Sequence, residues 1–376
     1  MSFINSILFV LLVFLTGSVC NVIGIPNGNT VHLLILGALC LVNMNHLSQG
    51  FKQNKHLCNS LIFFILLLIV TFFISRNDLV GVIGWLTLPV TCSIVLTLDR
   101  RSTNHLKIIL IVFFIVECLL SIFERQIGIN FFPNTVDDYY LQMVEQGQEW
   151  QFRSNSLLGN PLFNANFVSF VLCLLLCCDK IHILFRYLLS VLGLFAILGF
   201  NARGAMIVTT VLVIYKLYRI IKDQNNNTYK FLLYAIIVSS FYYAIDFVVN
   251  SDWGGRLIQD ELMDGSAQAR LVFTDYLEEI SLVSFPSWVS NTNKSENSFL
   301  FILISWGIFI GSFLIYFVIR YFWSNIKPYQ REVRYILLLS SIGIGSLNNN
   351  LAGPGLFIWF LMYIIVFRNE LALNKH

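Results

Sequence analysis

Hydrophobic positions in this chain come in long blocks, separated by short polar segments. Apolar runs lie near 3–24, 31–47, 57–74, 79–97, 106–123, 162–178, 181–199, 203–221, 231–249, 297–320, 335–349 and 351–367. A helix needs about 20 such residues to cross a bilayer. Lipid offers no partner for open backbone groups, so each run predicts a helix. The pattern predicts an all-α, polytopic integral membrane protein of about 12 transmembrane helices, with residues 1–376 forming a single membrane domain. The last two runs are interrupted by "GIGSLNNNLAGPGLF", whose glycines, proline and asparagines break helical continuity. The first run, "FINSILFVLLVFLTGSVCNVIG", has no basic leader and no small-x-small cleavage site. It reads as a retained span rather than a removed signal peptide.

Composition agrees. The chain is 57% hydrophobic and only 12% charged, with a mean hydropathy of +0.73. Soluble domains carry about 25% charged residues. A net charge of +3 is too small to point to nucleic acid. The eight cysteines lie in or beside apolar runs, so no disulfide framework is read. Cys173, Cys177 and Cys178 share one helical run and read as packing residues. Histidines, cysteines and carboxylates nowhere fall at ligand spacing, so neither metal nor cofactor is expected.

Basic residues set the orientation. With the N-terminus inside, the cytoplasmic segments collect Lys52, Lys55, Arg100, Arg101, Lys107, Lys180, Arg186, Lys216, Arg219, Lys222, Lys230, Arg320, Lys327, Arg331, Arg334, Arg368 and Lys375. Only Arg76, Arg125, Arg153, Arg203, Arg256, Arg270 and Lys294 fall outside. This is the positive-inside asymmetry, and it places both termini in the cytoplasm.

Two long outer loops result, at about 124–161 and 250–296, and they hold most of the acidic residues. Each contains a helical pattern. "NTVDDYYLQMVEQGQEW" aligns Val136, Tyr139, Tyr140, Met143, Val144 and Gly147 on one stripe, with Thr135 as its N-cap. "GSAQARLVFTDYLEEI" aligns Val272, Phe273, Tyr276, Leu277 and Ile280, with Arg270, Thr274 and Glu278 opposite. Such helices lie along a membrane surface or pack on neighbouring spans. Two acids fall inside spans, Glu117 and Asp246. Glu117 reads as a hydrogen-bonded or protonated acid facing a neighbouring helix, and Asp246 as a residue reaching the interface.

Positive charge kept outside needs a reason. For Arg76 and Arg125 a carboxylate or lipid phosphate suffices, and Asp78 stands beside Arg76 in "SRND". Arg203 is different, because its tight turn holds no acid. Guanidinium stays charged and offers paired donors that match phosphate oxygens. Arg203, with Arg270, Arg256 and Arg153, therefore points to an anionic ligand at the outer membrane boundary. A lipid pyrophosphate satisfies both requirements, tail in the bilayer and head at the arginines.

Four segments resemble a family. "LGFNARGAM" is similar to the Arg-Gly-small segment opening a span in bacterial O-antigen polymerases and ligases. "RSNSLLGNPLFNANF" resembles their Arg, Gly, Asn-Pro segment after the first long outer loop. "SAQARLVFTDYLEEI" resembles the arginine-led helix of their second loop, and "ENSFLFILISWGIFIGSFLIYF" their Asn-aromatic-Leu opening with a central Gly-Ile pair. The four occur in order between about 150 and 320. The resemblance implies a Wzy-type polymerase, with an architecture like the C-type, lipid-linked glycosyltransferases, in the bacterial inner membrane. It implies transfer of a growing glycan from one undecaprenyl-pyrophosphate carrier to the sugar of a second. Arg203 and Arg270 are then expected to be catalytic; Glu296, in the place where a base is sought, reads either as that base or as a residue starting the next helix, at the positive end of its dipole. Arg153, Arg256, Asn160 and Asn297 are expected to bind substrate. A chain-length-regulating copolymerase and a flippase are implied as partners, beside membrane lipids.

The ligases carry a histidine before the Asn-aromatic segment. Here that stretch reads "NKSENSF", and neither long loop holds a histidine. This favours the polymerase over a ligase delivering polysaccharide to lipid A-core. It also weighs against a histidine-centred acyltransferase. A lipid-linked oligosaccharide flippase is the reading of another class. It calls for midplane charges or an internal repeat, and neither is seen.

Overall fold

The computed structural model describes residues 3–25, 28–132, 152–223, 227–251, 253, 280–289, 297–346, 351 and 353–371. Among these residues every regular element is helical. Among the described residues five stretches are long and apolar enough to cross a membrane: Lys55–Ile74, Arg76–Leu96, Arg100–Ile127, Arg203–Lys222 and Ser298–Ile326. Thr30–Val42 and Met44–Gln53, bent by 86°, make a sixth if taken as one broken span. Ile4–Phe14, Pro161–Leu176, Ile183–Gly199 and Gly355–Val366 are apolar but shorter. The protein is thus membrane-embedded and helical.

The chain divides into two compact units. The first comprises Met1–Thr16, Asn27–Val112 and Glu261–His376. Its helices are α1 (Phe3–Phe14), α3 (Gly28–Val42), α4 (Met44–Gln53), α5 (Lys55–Ile74), α6 (Leu79–Leu96) and the first part of α7 (Arg100–Ile127). Near the C-terminus come α12 (Ser298–Ile326), α13 (Arg331–Leu338), α14 (Ile344–Ser346), α15 (Gly355–Val366) and α16 (Arg368–Leu371). The second unit, Gly17–Pro26 with Phe113–Asp260, holds α2 (Gly17–Val22), the rest of α7, α8 (Pro161–Leu176), α9 (Ile183–Gly199), α10 (Arg203–Lys222) and α11 (Asn227–Asn250).

In the first unit α6 is central. Its Trp85 is 2% exposed and stacks on Phe64 of α5 at 6.3 Å between ring centroids. Gly50 of α4 lies on Ser93 of α6 so closely that a Cβ would sit 2.2 Å from the hydroxyl, which donates to the Leu47 carbonyl at 2.7 Å. Asn5 and Asn43 exchange side-chain amide bonds at 2.8 and 3.0 Å, joining α1 to the bend between α3 and α4. Buried amides facing only lipid-like surroundings must pair in this way. Lys107 and Glu370 form an ion pair at 2.5 Å that ties α16 to α7.

Helix α12 is not continuous. Gly307 has φ 74° and ψ 169°, which no helix allows and which only glycine adopts without strain. Backbone from Ser281 to Ser284 fills the break. Ile308 N–H donates to the Ser281 carbonyl at 2.9 Å and Phe309 N–H to Leu282 at 3.1 Å, while Ser284 N–H donates to Trp306 at 3.3 Å. Non-helical backbone within a span is tolerable only when its polar groups are satisfied by protein, as these are.

In the second unit α8 is buried on every side: each residue from Asn164 to Leu176 is inaccessible. A helix apolar all round is a core helix. Its neighbours α9 and α10 press close, with Gly193 against Leu172 and the Thr209 hydroxyl donating to Ser169 at 2.7 Å.

Four contacts between segments distant in the chain join positions that the basic-residue pattern assigns to one side. Asp78 meets Ser287 and Ser154 meets Gly199, all assigned outside, while Lys107 meets Glu370 and Thr97 meets His46, all assigned inside.

Candidate functional site

The candidate site is at the end of α7 in the second unit. Glu117 and Glu124 are spaced i, i+7 and share one face of the helix; both are 0% exposed. Glu124 gathers a loop around itself. One oxygen accepts the Ser154 hydroxyl at 2.5 Å and the N–H groups of Asn155 and Ser156 at 3.0 and 2.8 Å. The other accepts the Phe131 N–H at 2.9 Å. Glu117 accepts the Leu157 N–H at 3.1 Å, and its backbone carbonyl accepts the Ser156 hydroxyl at 3.1 Å. Ser156 is thereby held at φ 44°, a left-handed conformation that costs a non-glycine residue free energy. Asn130 adds two bonds, donating to the Arg153 carbonyl at 3.1 Å and accepting the Asn155 N–H at 3.2 Å.

This loop also grips the corner between α9 and α10. Ser154 N–H donates to the Gly199 carbonyl at 3.1 Å. Asn201, itself left-handed at φ 55°, donates to the Phe152 carbonyl at 3.2 Å. Arg125 donates to the same carbonyl and lies over the rings of Phe152 and Trp253 at 5.8 and 5.9 Å. Arg153 and Arg203 therefore arise from adjoining backbone segments, Arg153 between the two bonded residues and Arg203 just after the bonded Gly199–Asn201 corner. Both are half-buried. Arg203 opens α10 and lines a small hollow with Asn201, Ala202, Met206 and Trp253. A cation in the first turn opposes the positive end of the helix dipole, so an anion there relieves both.

Of the other expected site residues, Arg270, Arg256 and Glu296 lie outside the described residues, as do most of both loop-helix patterns. Asn160 and Asn297 are described, and both are N-caps. Asn160 accepts from the N–H groups of Leu162 and Phe163, and Asn297 from those of Phe299 and Leu300. Glu117 is hydrogen-bonded as expected, although its partner is the 156–157 loop and not a helix. Asp246 is exposed and accepts from the Asn250 amide at 2.9 Å.

The pairing expected for Arg76 is corrected. Asp78 is occupied by Ser75 and Ser287, and Arg76 lies over the Phe72 ring at 5.2 Å. Arg125, expected to meet a carboxylate or phosphate, spends a donor on a backbone carbonyl. Glu124, Asn130, Asn201 and Trp253 escaped the sequence reading. The one signal for them was the i, i+7 spacing of Glu117 and Glu124 on a helix otherwise apolar there.

No family model matches the chain, and no curated protein matches it either.

Proposed function

We propose that this protein is a Wzy-type glycosyltransferase. It joins undecaprenyl-pyrophosphate-linked oligosaccharide units into a surface polysaccharide at the outer face of the bacterial inner membrane. The reading includes about twelve spans, both termini in the cytoplasm, and collaboration with a flippase and a copolymerase. One observation carries it: Arg153 and Arg203, from two separate family-like segments, project from backbones joined by the Phe152 and Ser154 hydrogen bonds.

In the reaction an acceptor-sugar hydroxyl attacks the anomeric carbon of the donor glycan. The new glycosidic bond forms as the bond to the pyrophosphate oxygen breaks. The bonding pair leaves with undecaprenyl pyrophosphate, and the hydroxyl proton passes to a base, the role assigned to Glu296. Negative charge grows on the departing pyrophosphate. Cations already in place there stabilise the transition state more than the ground state. Arg203 and Arg270 take that role, with Arg153 and Arg256 holding the substrate. Asn160 and Asn297 shape the site by starting the two helices they cap.

The test is Arg203→Ala in a strain lacking its own copy, with surface glycan resolved on a gel. The expected outcome is loss of long chains, with single units still attached to the lipid core. Removing one such donor costs about 2.7–4 kcal/mol of barrier, or roughly 10²–10³ in rate. Normal chain length at normal protein level refutes the role. Lipid-linked sugar accumulating on the cytoplasmic face after deletion indicates a flippase instead.

A further inference from the structure

The segment Ser281–Trp288 is held at two places. Its first residues fill the break in α12 through the three backbone bonds around Gly307. Gly307 is essential to that approach, since a Cβ there would lie 2.7 Å from Ser284 N and Val283 Cα. In the middle of the segment Phe285 is fully buried, edge-on to Trp288 at 4.9 Å and Trp306 at 6.2 Å. Beyond it Ser287 is clamped on Asp78, at the start of α6. Its N–H donates to one carboxylate oxygen at 2.9 Å and its hydroxyl to the other at 2.6 Å. The Ser75 hydroxyl donates to that second oxygen at 2.5 Å and lies 2.9 Å from the Ser287 hydroxyl. Asp78 thus ignores the arginine two residues before it. It spends its acceptors on a residue 209 positions along the chain, at the point where the second long loop re-enters the bundle.

We propose that Asp78 is a positioning residue for the glycosyl transfer, a role that rests on the function proposed above. Asp78 and Ser287 lock the Ser281–Trp288 strap in register on the broken helix, and so fix the chain on its way from the second long loop into α12. Two N–H groups at the start of the second half of α12, those of Ile308 and Phe309, are taken by the Ser281 and Leu282 carbonyls.

The chemistry dictates the test. Asp78→Ala removes every acceptor. Asp78→Asn keeps an oxygen for the Ser287 N–H, and the two hydroxyls turn to accept from its amide. A Ser75→Cys/Ser287→Cys pair replaces the clamp by a disulfide, for which neighbouring hydroxyls are well placed. Each is made in the full chain, in membranes of a deletion strain, at matched protein amount. Two readouts are taken: labelling of Val289→Cys by a membrane-impermeant maleimide, and the chain-length ladder of the surface glycan. Asp78→Ala is expected to raise labelling and cut long chains at least threefold. Asp78→Asn, and the disulfide added to Asp78→Ala, restore both, and reductant reverses the disulfide rescue. Unchanged labelling overturns the strap. Increased labelling with an unchanged ladder overturns the positioning role. If Arg203→Ala leaves the ladder intact, the glycosyl-transfer reading falls and the positioning role with it, while labelling still decides the strap.

Discussion

Glu124 offers the sharpest structural prediction. Replacing it with alanine removes the acceptor for four donors. They do not suffer equally. Phe131 is exposed, so water replaces its lost partner. Asn155 N–H retains Asn130 at 3.2 Å. Ser156 N–H and the Ser154 hydroxyl are buried, and both lose the carboxylate oxygen they share. An orphaned buried donor costs about 1–3 kcal/mol, and each rescued bond forfeits roughly 0.5–1.5 kcal/mol. Counting one full orphan, one hydroxyl free to rotate and two weakened bonds gives about 2.5–7.5 kcal/mol. For a chain of this size that lowers the unfolding midpoint by roughly 3–10 °C. Glu124→Gln keeps one oxygen for the three-donor cluster and turns its amide toward Phe131, so its loss is expected to be less than half as large. The assay is thermal unfolding in detergent, read by a thiol-reactive fluorophore as buried cysteines such as Cys92 and Cys118 become accessible. Equal midpoints for wild type and Glu124→Ala refute the idea that this carboxylate organises the loop.

Three further outcomes are expected. Gly307→Ala combines a left-handed backbone with a Cβ 2.7 Å from Ser284 N, so it destabilises by about 1–3 kcal/mol from strain alone, measured by the same melt. Asn160→Ala and Asn297→Ala each remove a helix cap worth about 1 kcal/mol; a loss of long glycan chains beyond that small change in melting separates substrate contact from capping. Asp99 accepts the Ser102 N–H at 3.2 Å just before α7, and Ser102 holds its carboxyl below the usual carboxylate range. A depressed folded value means its stabilising contribution is complete above the ordinary carboxylate pKa and disappears as pH falls through the folded one. The midpoint difference between wild type and Asp99→Ala should therefore be small, present at neutral pH and gone in acid; a difference that persists in acid contradicts the assignment.

What the sequence alone determined is the membrane-embedded, helical character of the chain. It follows from a local sum, since hydropathy adds residue by residue along a run. The same sum located Arg203 at the mouth of a span, where it stands at the start of α10. It failed at the breaks: 3–24 became α1 and α2, 31–47 bent into α3 and α4, and Gly307 interrupted α12. Such breaks depend on partners distant in the chain, such as the Ser281–Ser284 backbone that fills the gap at Gly307. Tertiary structure alone decided that Asp78 serves Ser287 and not Arg76, that Glu124 gathers the 154–156 loop, and that Arg153 and Arg203 spring from adjoining backbone. A hydrogen bond is directional and spans only about 3 Å, so no property of an isolated segment reveals which remote donor a buried carboxylate will find.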